Sequence, residues 1–440
     1  MSTVIMLLSE RRSPAATAAT AACKSSGNRS FNCLMTPVWA YNGSMSRYRL
    51  YPTPEQEVLL LEACGHARFV WNLGLEQRLM WRRERGPTPG YLEQCRQLTE
   101  ARAAEPWLGA VAQVVQQQAL RDLDRAWRNF FAGTHRRPTW RKAGRSEGFR
   151  IVNAQRMPSR RLSRNVGVVK IPRIGWVRFR WSRAVPDAKS YRVTLDRSGR
   201  WHVAFAAIPT PIAGPGTGDV VGVDRGVRVA AALSTGELSC PAGLHAKEAE
   251  RLLRLQRKLA RAKRGSGRRG QVKLAIAKLK AAEKDRRKDW AEKLSTDLAR
   301  RFDVIRVEDL RIASMTGSVK GTIAKPGRNV SQKAGLNRGI LGAGWGLLAK
   351  RLEDKAPGRV EKVPAPFTSQ RCSACGHVAS ENRKSQAVFA CTACGFACNA
   401  DVNAALNIAA GHVVTARGDR AKSARSVKRE PRTARLQSVA

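Results

Sequence analysis

Two pairs of cysteines constrain this chain more than any other feature. Cys372 and Cys375 form one C-x-x-C, Cys391 and Cys394 form another, and fifteen residues separate the pairs. That spacing lies at the edge of the range for a four-thiolate zinc site. Gly376 and Gly395 follow the second cysteine of each pair and let the backbone turn around a tetrahedral ion. Seven positions after Cys394 comes Asp401, at the head of an A-L-N-I-A helix. A metal module therefore stands just ahead of an acid, and the question is what that acid works with.

Charge narrows the partners. With 80 Lys+Arg against 34 Asp+Glu in 440 residues, the formal net charge is +46, far beyond what solubility requires. It points to a polyanion, and nucleic acid is the expected one. A membrane surface would call for an amphipathic basic helix or a lipidation signal, and neither is found. The remaining cysteines, Cys23, Cys33, Cys64, Cys95, Cys240 and Cys398, are scattered without a disulfide framework. The expected location is a reducing, intracellular compartment.

Along the chain, 1–44 is rich in Ala, Ser and Thr without a period and is expected to be disordered, with Met45 an alternative start. Y-R-L-Y alternates like a strand. Thr53-Pro54-Glu55-Gln56 reads as a capped helix entry, and apolar residues then recur at helical spacing to about Arg85. Further helices are expected over Tyr91 to Ala104 and Trp107 to Phe131. From Gly148 to Ala207 the period falls to two, which together with Tyr48 to Tyr51 predicts a small antiparallel barrel interrupted by the helical block. In W-V-R-F-R-W, Trp176, Phe179 and Trp181 are either core or a nucleic-acid face, with the arginines either phosphate contacts or simply solvated.

After the linker P-T-P-I-A-G-P-G-T-G comes V-V-G-V-D-R-G-V, a buried-type strand with Asp224 near its end, then a hairpin turn at Thr235-Gly236. Read alone, Asp224 could be turn punctuation. A long basic helical hairpin is expected over 246–301, its charge either solvated or set on phosphates. F-D-V-I-R-V-E-D-L then brings Glu308 to another strand end, where ligands of sheet proteins collect. Gly317 to Arg338 is expected to be a mobile loop, Gly342 to Ala356 a helix and R-V-E-K-V-P a last strand. Asp224, Glu308 and Asp401 together suit two divalent ions, Mg²⁺ or Mn²⁺, about 4 Å apart in a phosphodiesterase.

The order G-V-D-R-G-V, V-E-D-L, T-S-Q-R-C-S-A-C-G, C-T-A-C-G-F and N-A-D-V-N-A-A-L-N-I, preceded by Y-R-L-Y-P-T-P-E-Q and A-R-F-V-W-N, resembles the TnpB (OrfB) proteins of small bacterial insertion sequences. R-K-D-W-A-E-K-L-S ahead of Glu308 fits as well. The resemblance runs from about Tyr48 to Ala410. It implies an α/β fold plus β-barrel: a RuvC-like, RNase H-type nuclease domain with an inserted zinc ribbon, preceded by an OB-like wedge barrel that a helical block interrupts. The implied domains are a 1–44 extension, a barrel from 45–52 and 141–210, a helical recognition insertion 53–140, and a nuclease domain 218–369 carrying the hairpin 246–301. The ribbon 370–396, a final nuclease motif 397–412 and a disordered basic tail 413–440 complete the chain.

The same resemblance implies RNA-guided DNA cleavage. Asp224, Glu308 and Asp401 would be catalytic and hold two Mg²⁺ or Mn²⁺ ions, while Cys372, Cys375, Cys391 and Cys394 would hold structural zinc. A guide RNA from the end of the element and target DNA are the implied partners, with a transposase encoded nearby as a further one. The 44-residue extension and Cys398 depart from the pattern. Three other readings keep the same residues: a type V CRISPR effector, a guide-dependent DNA-binding protein that does not cut, and a strand-transfer transposase.

Overall fold

The fold is described from a computed structural model, over residues 46–81, 84, 86–152, 159–206, 210–241 and 243–411. The N-terminal extension and the basic tail expected at 413–440 lie outside the described residues. The chain divides into two compact units, one comprising the described residues up to 206 and the other those from 210 onward.

The first unit folds a curved antiparallel sheet over a helical layer. Strand β1 (Ser46–Tyr51) leads into helix α1 (Pro54–Leu79), α2 (Tyr91–Ala104), the short α3 (Pro106–Gly109) and α4 (Gln113–Phe131). Six strands follow: β2 (Gly148–Val152), β3 (Ser159–Arg161), β4 (Val166–Ile171), β5 (Gly175–Arg180), β6 (Ser190–Leu195) and β7 (Trp201–Phe205). The Thr53/Gln56 capping box forms at the start of α1 as the sequence suggests. The single helix expected over 107–131 is instead two. Arg102 donates to the carbonyls of Leu108 and Val111, at 2.6 and 3.1 Å, and so takes them out of the helical ladder.

The sheet order is β2-β6-β7-β1-β5-β4-β3. Strand β1 belongs to both halves: Ser46 to Arg49 pair with β7, whereas Leu50 and Tyr51 pair with β5. The two halves curl around one core in which Tyr48 meets Phe179 and Phe205 edge-on, at centroid distances of 5.5 and 5.7 Å. The expected OB-like barrel is not closed. Strands β2 and β3, the two edges of the sheet, share no ladder among the described residues, of which β3 has only three. A side chain spans part of the gap, as the Tyr191 hydroxyl of β6 donates to the Lys170 carbonyl of β4 at 2.7 Å.

The same packing decides the aromatic strand. Phe179 is fully buried, whereas Trp176 and Trp181 are half-buried under the guanidinium groups of Arg160 and Arg161. Arg178 and Arg180 are exposed.

The second unit is a mixed sheet flanked by helices. Its strands are β8 (Val220–Asp224), β9 (Ala231–Leu233), β10 (Leu238–Ser239), β11 (Val304–Glu308) and β12 (Val360–Val363), in the order β10-β9-β8-β11-β12. Strands β8, β11 and β12 run parallel; β9 and β10 run antiparallel to their neighbours. The basic hairpin is α5 (Ala246–Arg261) and α6 (Gly267–Arg301), followed by α7 (Ile312–Met315), α8 (Val330–Ala343), α9 (Trp345–Lys355) and, after the ribbon strands β13 (Val388–Ala390) and β14 (Ala397–Asn399), α10 (Ala400–Ala410).

The loop expected to Arg338 gives way to α8 at Val330. Lys333 donates to the Met315 carbonyl at 2.6 Å and Asn337 to the Thr316 carbonyl at 3.0 Å, so tertiary contacts fix a segment whose Gly and Ser content argued for mobility. Among the described residues no helix is long and apolar enough to cross a membrane.

Helix α10 lies directly on β8. A Cβ on Gly222 would collide with the backbone of Ala405 and Ala409, so only glycine admits this contact. At the far end Arg306 of β11 donates to the Ala409 carbonyl at 2.5 Å, a cation at a helix C-terminus. Replacing Gly222 by Ala is expected to lift α10 off the sheet and destabilise the second unit by about 2–3 kcal/mol. Urea unfolding, with hydrogen exchange of the α10 amides as local readout, measures it; an unchanged midpoint would contradict the contact.

Candidate nuclease site and metal centre

Each acid singled out in the sequence stands at the end of an element. Asp224 closes β8, Glu308 closes the adjacent parallel β11, and Asp401 lies in the first turn of α10. The structure brings the three together at one end of the sheet. Asp224 is pushed up to about 7, first by burial and then by the negative charges of Glu308 and Asp401, with Arg383 acting against them. Burial also raises Glu308, opposed by the Thr368 hydroxyl and Arg225.

Fixed partners orient two of these carboxylates. Thr368 donates to Glu308 Oε1 at 3.1 Å, and Arg383 donates to Asp401 Oδ1, also at 3.1 Å. Arg225, buried next to Asp224, donates to the main-chain carbonyl of Glu308 and ties the two strand ends together. Asn399 caps α10 by accepting from the amides of Asp401 and Val402 at 3.0 and 3.2 Å. Arg225 and Thr368 stand inside motifs seen in the sequence, yet nothing local assigns them or Arg383 a role at the acids, because the bonds they make span 83, 60 and 18 positions.

The four cysteines converge as well. Cys372 and Cys394 Sγ are 3.7 Å apart, Cys375 and Cys391 Sγ are 3.6 Å apart, and all four sulfurs lie within 4.8 Å of one another. Tetrahedral zinc with bonds of about 2.3 Å would set its sulfurs roughly 3.8 Å apart, so the donor set fits that ion. Both distances are far beyond a disulfide bond. Gly376 and Gly395 take φ of 79° and 73° in the turns behind the pairs. Among the described residues this is the one group of three or more His, Cys, Asp or Glu donors gathered so tightly; the three carboxylates are more loosely set and Cys398 lies outside the four.

Asparagines weld this ribbon to α10. Buried Asn382 donates to the carbonyls of Gln370 and His377 at 3.0 and 3.2 Å and accepts from the Thr392 amide at 2.9 Å, so it joins the two cysteine turns. On α10, Asn403 donates to the Arg371 carbonyl at 2.7 Å and accepts from the Ser373 amide at 3.0 Å, while Asn407 donates to the Thr368 and Arg371 carbonyls. These residues were missed in the sequence, although Asn399, Asn403 and Asn407 recur every four residues along one helical face.

Several known families and proteins are similar to this chain. Residues 202–319 match the family profile of a "Probable transposase", OrfB of IS605 type, and 345–408 match a "Cas12f1-like, TNB domain". Residues 45–87 match a profile described as a helix-turn-helix domain, although here they include β1 and α1. The chain is 35% identical over 404 residues to "Putative RNA-guided DNA endonuclease InsQ" of Escherichia coli K12, covering 90% of this chain and 98% of that protein. It is 32% identical over 407 residues to a "Putative RNA-guided DNA endonuclease" of Streptomyces pristinaespiralis, covering 88% and 96%. Among solved structures it is similar to a Cas12f1 complex with guide RNA and target DNA, at TM-score 0.43 and 13% identity, over 81% of this chain and 83% of that one.

Two outcomes are expected from the geometry. Cys372→Ser should release about one zinc ion per chain, read by metal analysis, and lower the melting temperature, because the turns that Asn403 and Asn407 grip lose their anchor. Asp224 titrates higher in the fold than its ordinary 3.8, so its burial costs stability increasingly as pH rises through the window from 3.8 to about 7. Without added divalent ion, Asp224→Asn should therefore be more stable than wild type by about 3–4 kcal/mol above pH 7, with the advantage gone below pH 4. Urea unfolding at pH 4 and pH 8 measures it; equal gains at both would refute the assignment.

Proposed function

The chain belongs to the OrfB family of IS605-type insertion sequences, and from that membership we propose that it is an RNA-guided DNA endonuclease whose cutting site is built on Asp224, Glu308 and Asp401. The observation that carries the reading is electrostatic. Buried Glu308 and Asp401 and half-buried Asp224 share one end of the sheet, and Asp224 remains pushed up to about 7 despite Arg383. Such a surplus of hard oxygen donors suits Mg²⁺ or Mn²⁺. Two such ions held there would supply Lewis acidity at the scissile phosphate and a water ionised near neutral pH.

The chain's own residues do the rest. Glu308 is oriented by Thr368 and its strand end is fixed by Arg225; Asp401 is oriented by the cap at Asn399 and by Arg383. Arg383 balances charge on Asp401, and with a metal on that carboxylate it would be placed to meet a phosphate. Cys372, Cys375, Cys391 and Cys394 would hold structural zinc, fixing the turns of the ribbon that carries Arg383 and grips α10.

In this reading the second unit is RuvC-like, with domain limits of 218–369, 370–396 for the ribbon and 397–412. The first unit, a wedge sheet with its helical insertion at 53–140, holds the guide–target heteroduplex and the short flanking DNA motif. Base pairing reads the sequence, and the protein supplies backbone contacts through its positive charge.

With the guide RNA that copurifies with the protein, Asp224→Ala should lower Mg²⁺-dependent cleavage of a matched plasmid by about a hundredfold or more while leaving guide-dependent DNA binding within about twofold. Loss of both to the same extent would count against the site.

A further inference from the structure

Between Asp124 and Glu147 the chain carries six arginines and one lysine and no acid. Within this stretch residues 138–142 form neither helix nor strand, yet they are held firmly to α1. Trp71 donates its Nε1 hydrogen to the Thr139 carbonyl at 3.0 Å. Asn72 grips the next residue but one from both sides, accepting from the Arg141 amide at 2.8 Å and donating to the Arg141 carbonyl at 3.0 Å. The Arg141 guanidinium lies 3.8 Å from the centroid of the Trp71 ring.

Trp140 stands between these pinned residues with its side chain turned outward, 46% exposed. Burying a tryptophan is strongly favourable, and one that is merely unassigned to a core would sit on a chain free to collapse over it. Here the backbone on both sides is committed, so the ring is presented in a fixed place. Its neighbours along the strap are cationic: Arg136, Arg137 and Lys142 are exposed, Arg137 with its guanidinium 5.8 Å from the Trp127 ring centroid. The strap has no acid of its own, while Asp122 and Glu147 act on the half-buried Arg141, and its exposed cations suit a polyanion with flat faces.

We propose that Trp140, presented by the strap that Trp71 and Asn72 pin to α1, is a stacking platform for an unpaired base of single-stranded RNA, with Arg136, Arg137 and Lys142 taking the flanking phosphates. An aromatic face stacks on any base and is worth most when its position is preorganised. The choice of RNA rests on the proposed function, in which the guide is held throughout while DNA strands come and go. The platform also lies in the unit that contains none of the three acids and none of the four zinc-type thiols.

The test uses the full-length protein, freed of copurifying nucleic acid, and a 20-nucleotide unstructured RNA, the same sequence as DNA, and an RNA duplex of equal length. Trp140→Ala should bind the single-stranded RNA about tenfold more weakly, and Trp140→Phe should recover most of that loss. The slope of affinity against salt should not change, because no phosphate contact is removed. Binding of the RNA duplex should stay within about twofold. RNA carrying 4-thiouridine should cross-link to the wild-type peptide that contains Trp140, a readout that does not depend on how the variants fold. Wild-type affinity in Trp140→Ala, an equal loss for the duplex, a larger loss for DNA than for RNA, or no cross-link at that peptide would each overturn the proposal. No guide, target or divalent ion is present in these assays. Failure of guided cleavage and failure of the platform are therefore read separately.

Discussion

Carboxylates buried side by side repel one another, and the second unit is arranged around keeping three of them together. Burial and mutual repulsion push Asp224 up to about 7, so the cluster carries a cost that the rest of the unit must offset. The offset comes from two kinds of contact. Parallel pairing of β8 and β11 fixes Asp224 and Glu308 on neighbouring strand ends, and apolar residues such as Val221, Val223, Ile305 and Val307 bury those strands completely or nearly so. Asp401 arrives from the opposite direction on a helix, and its position depends on how that helix is clamped.

The clamp works on two sides of α10. One side meets β8 at backbone distance through Gly222, which leaves no freedom for the helix to slide. The other side carries Asn403 and Asn407, which hold the chain entering the first cysteine turn. A metal held by the four cysteines would therefore act at the acids without touching them: it would fix the turns, the turns hold α10 through Asn403 and Asn407, and Arg383 from the same ribbon reaches Asp401. The zinc-type centre and the acids form one mechanical unit because a single eleven-residue helix has a face for each.

Much of this was legible in the sequence where the signal is local. A strand that ends in Asp or Glu, a capped helix, and a C-x-x-C followed by glycine each announce themselves within a few residues, and the spacing of the cysteines carries the ligand set. Contacts that depend on tertiary packing were not legible. Thr368, Arg225 and Arg383 look like ordinary polar residues until the fold delivers them to the acids. Alternating strands read correctly as an antiparallel sheet, yet alternation says nothing about strand tilt or stagger, so the barrel was expected to close and does not. Helix α8 was hidden because its glycines speak against a helix, and the bonds of Lys333 and Asn337 together with the burial of Ile340 and Ala343 make up the difference.

The kind of cation matters as well as the number. From 46 to 206 the sequence has twenty-eight arginines and three lysines, whereas the hairpin 246–301 has eleven and nine. An ammonium keeps its water and stands away from apolar surface, but a guanidinium can lie flat on a ring while still charged. The first unit uses that property repeatedly: Arg141 lies over Trp71, Arg160 over Trp176, and Arg183 over Tyr48 at 4.6 Å. These arginines cover aromatic rings, Arg160 and Arg183 from exposed positions and Arg141 from a half-buried one. A strongly basic unit can thus keep its sheet and helices packed with its cations lying on aromatic rings. Where such pairing leaves a ring uncovered, as at Trp140, the exposed face is better understood as reserved for a base than as a gap in the packing.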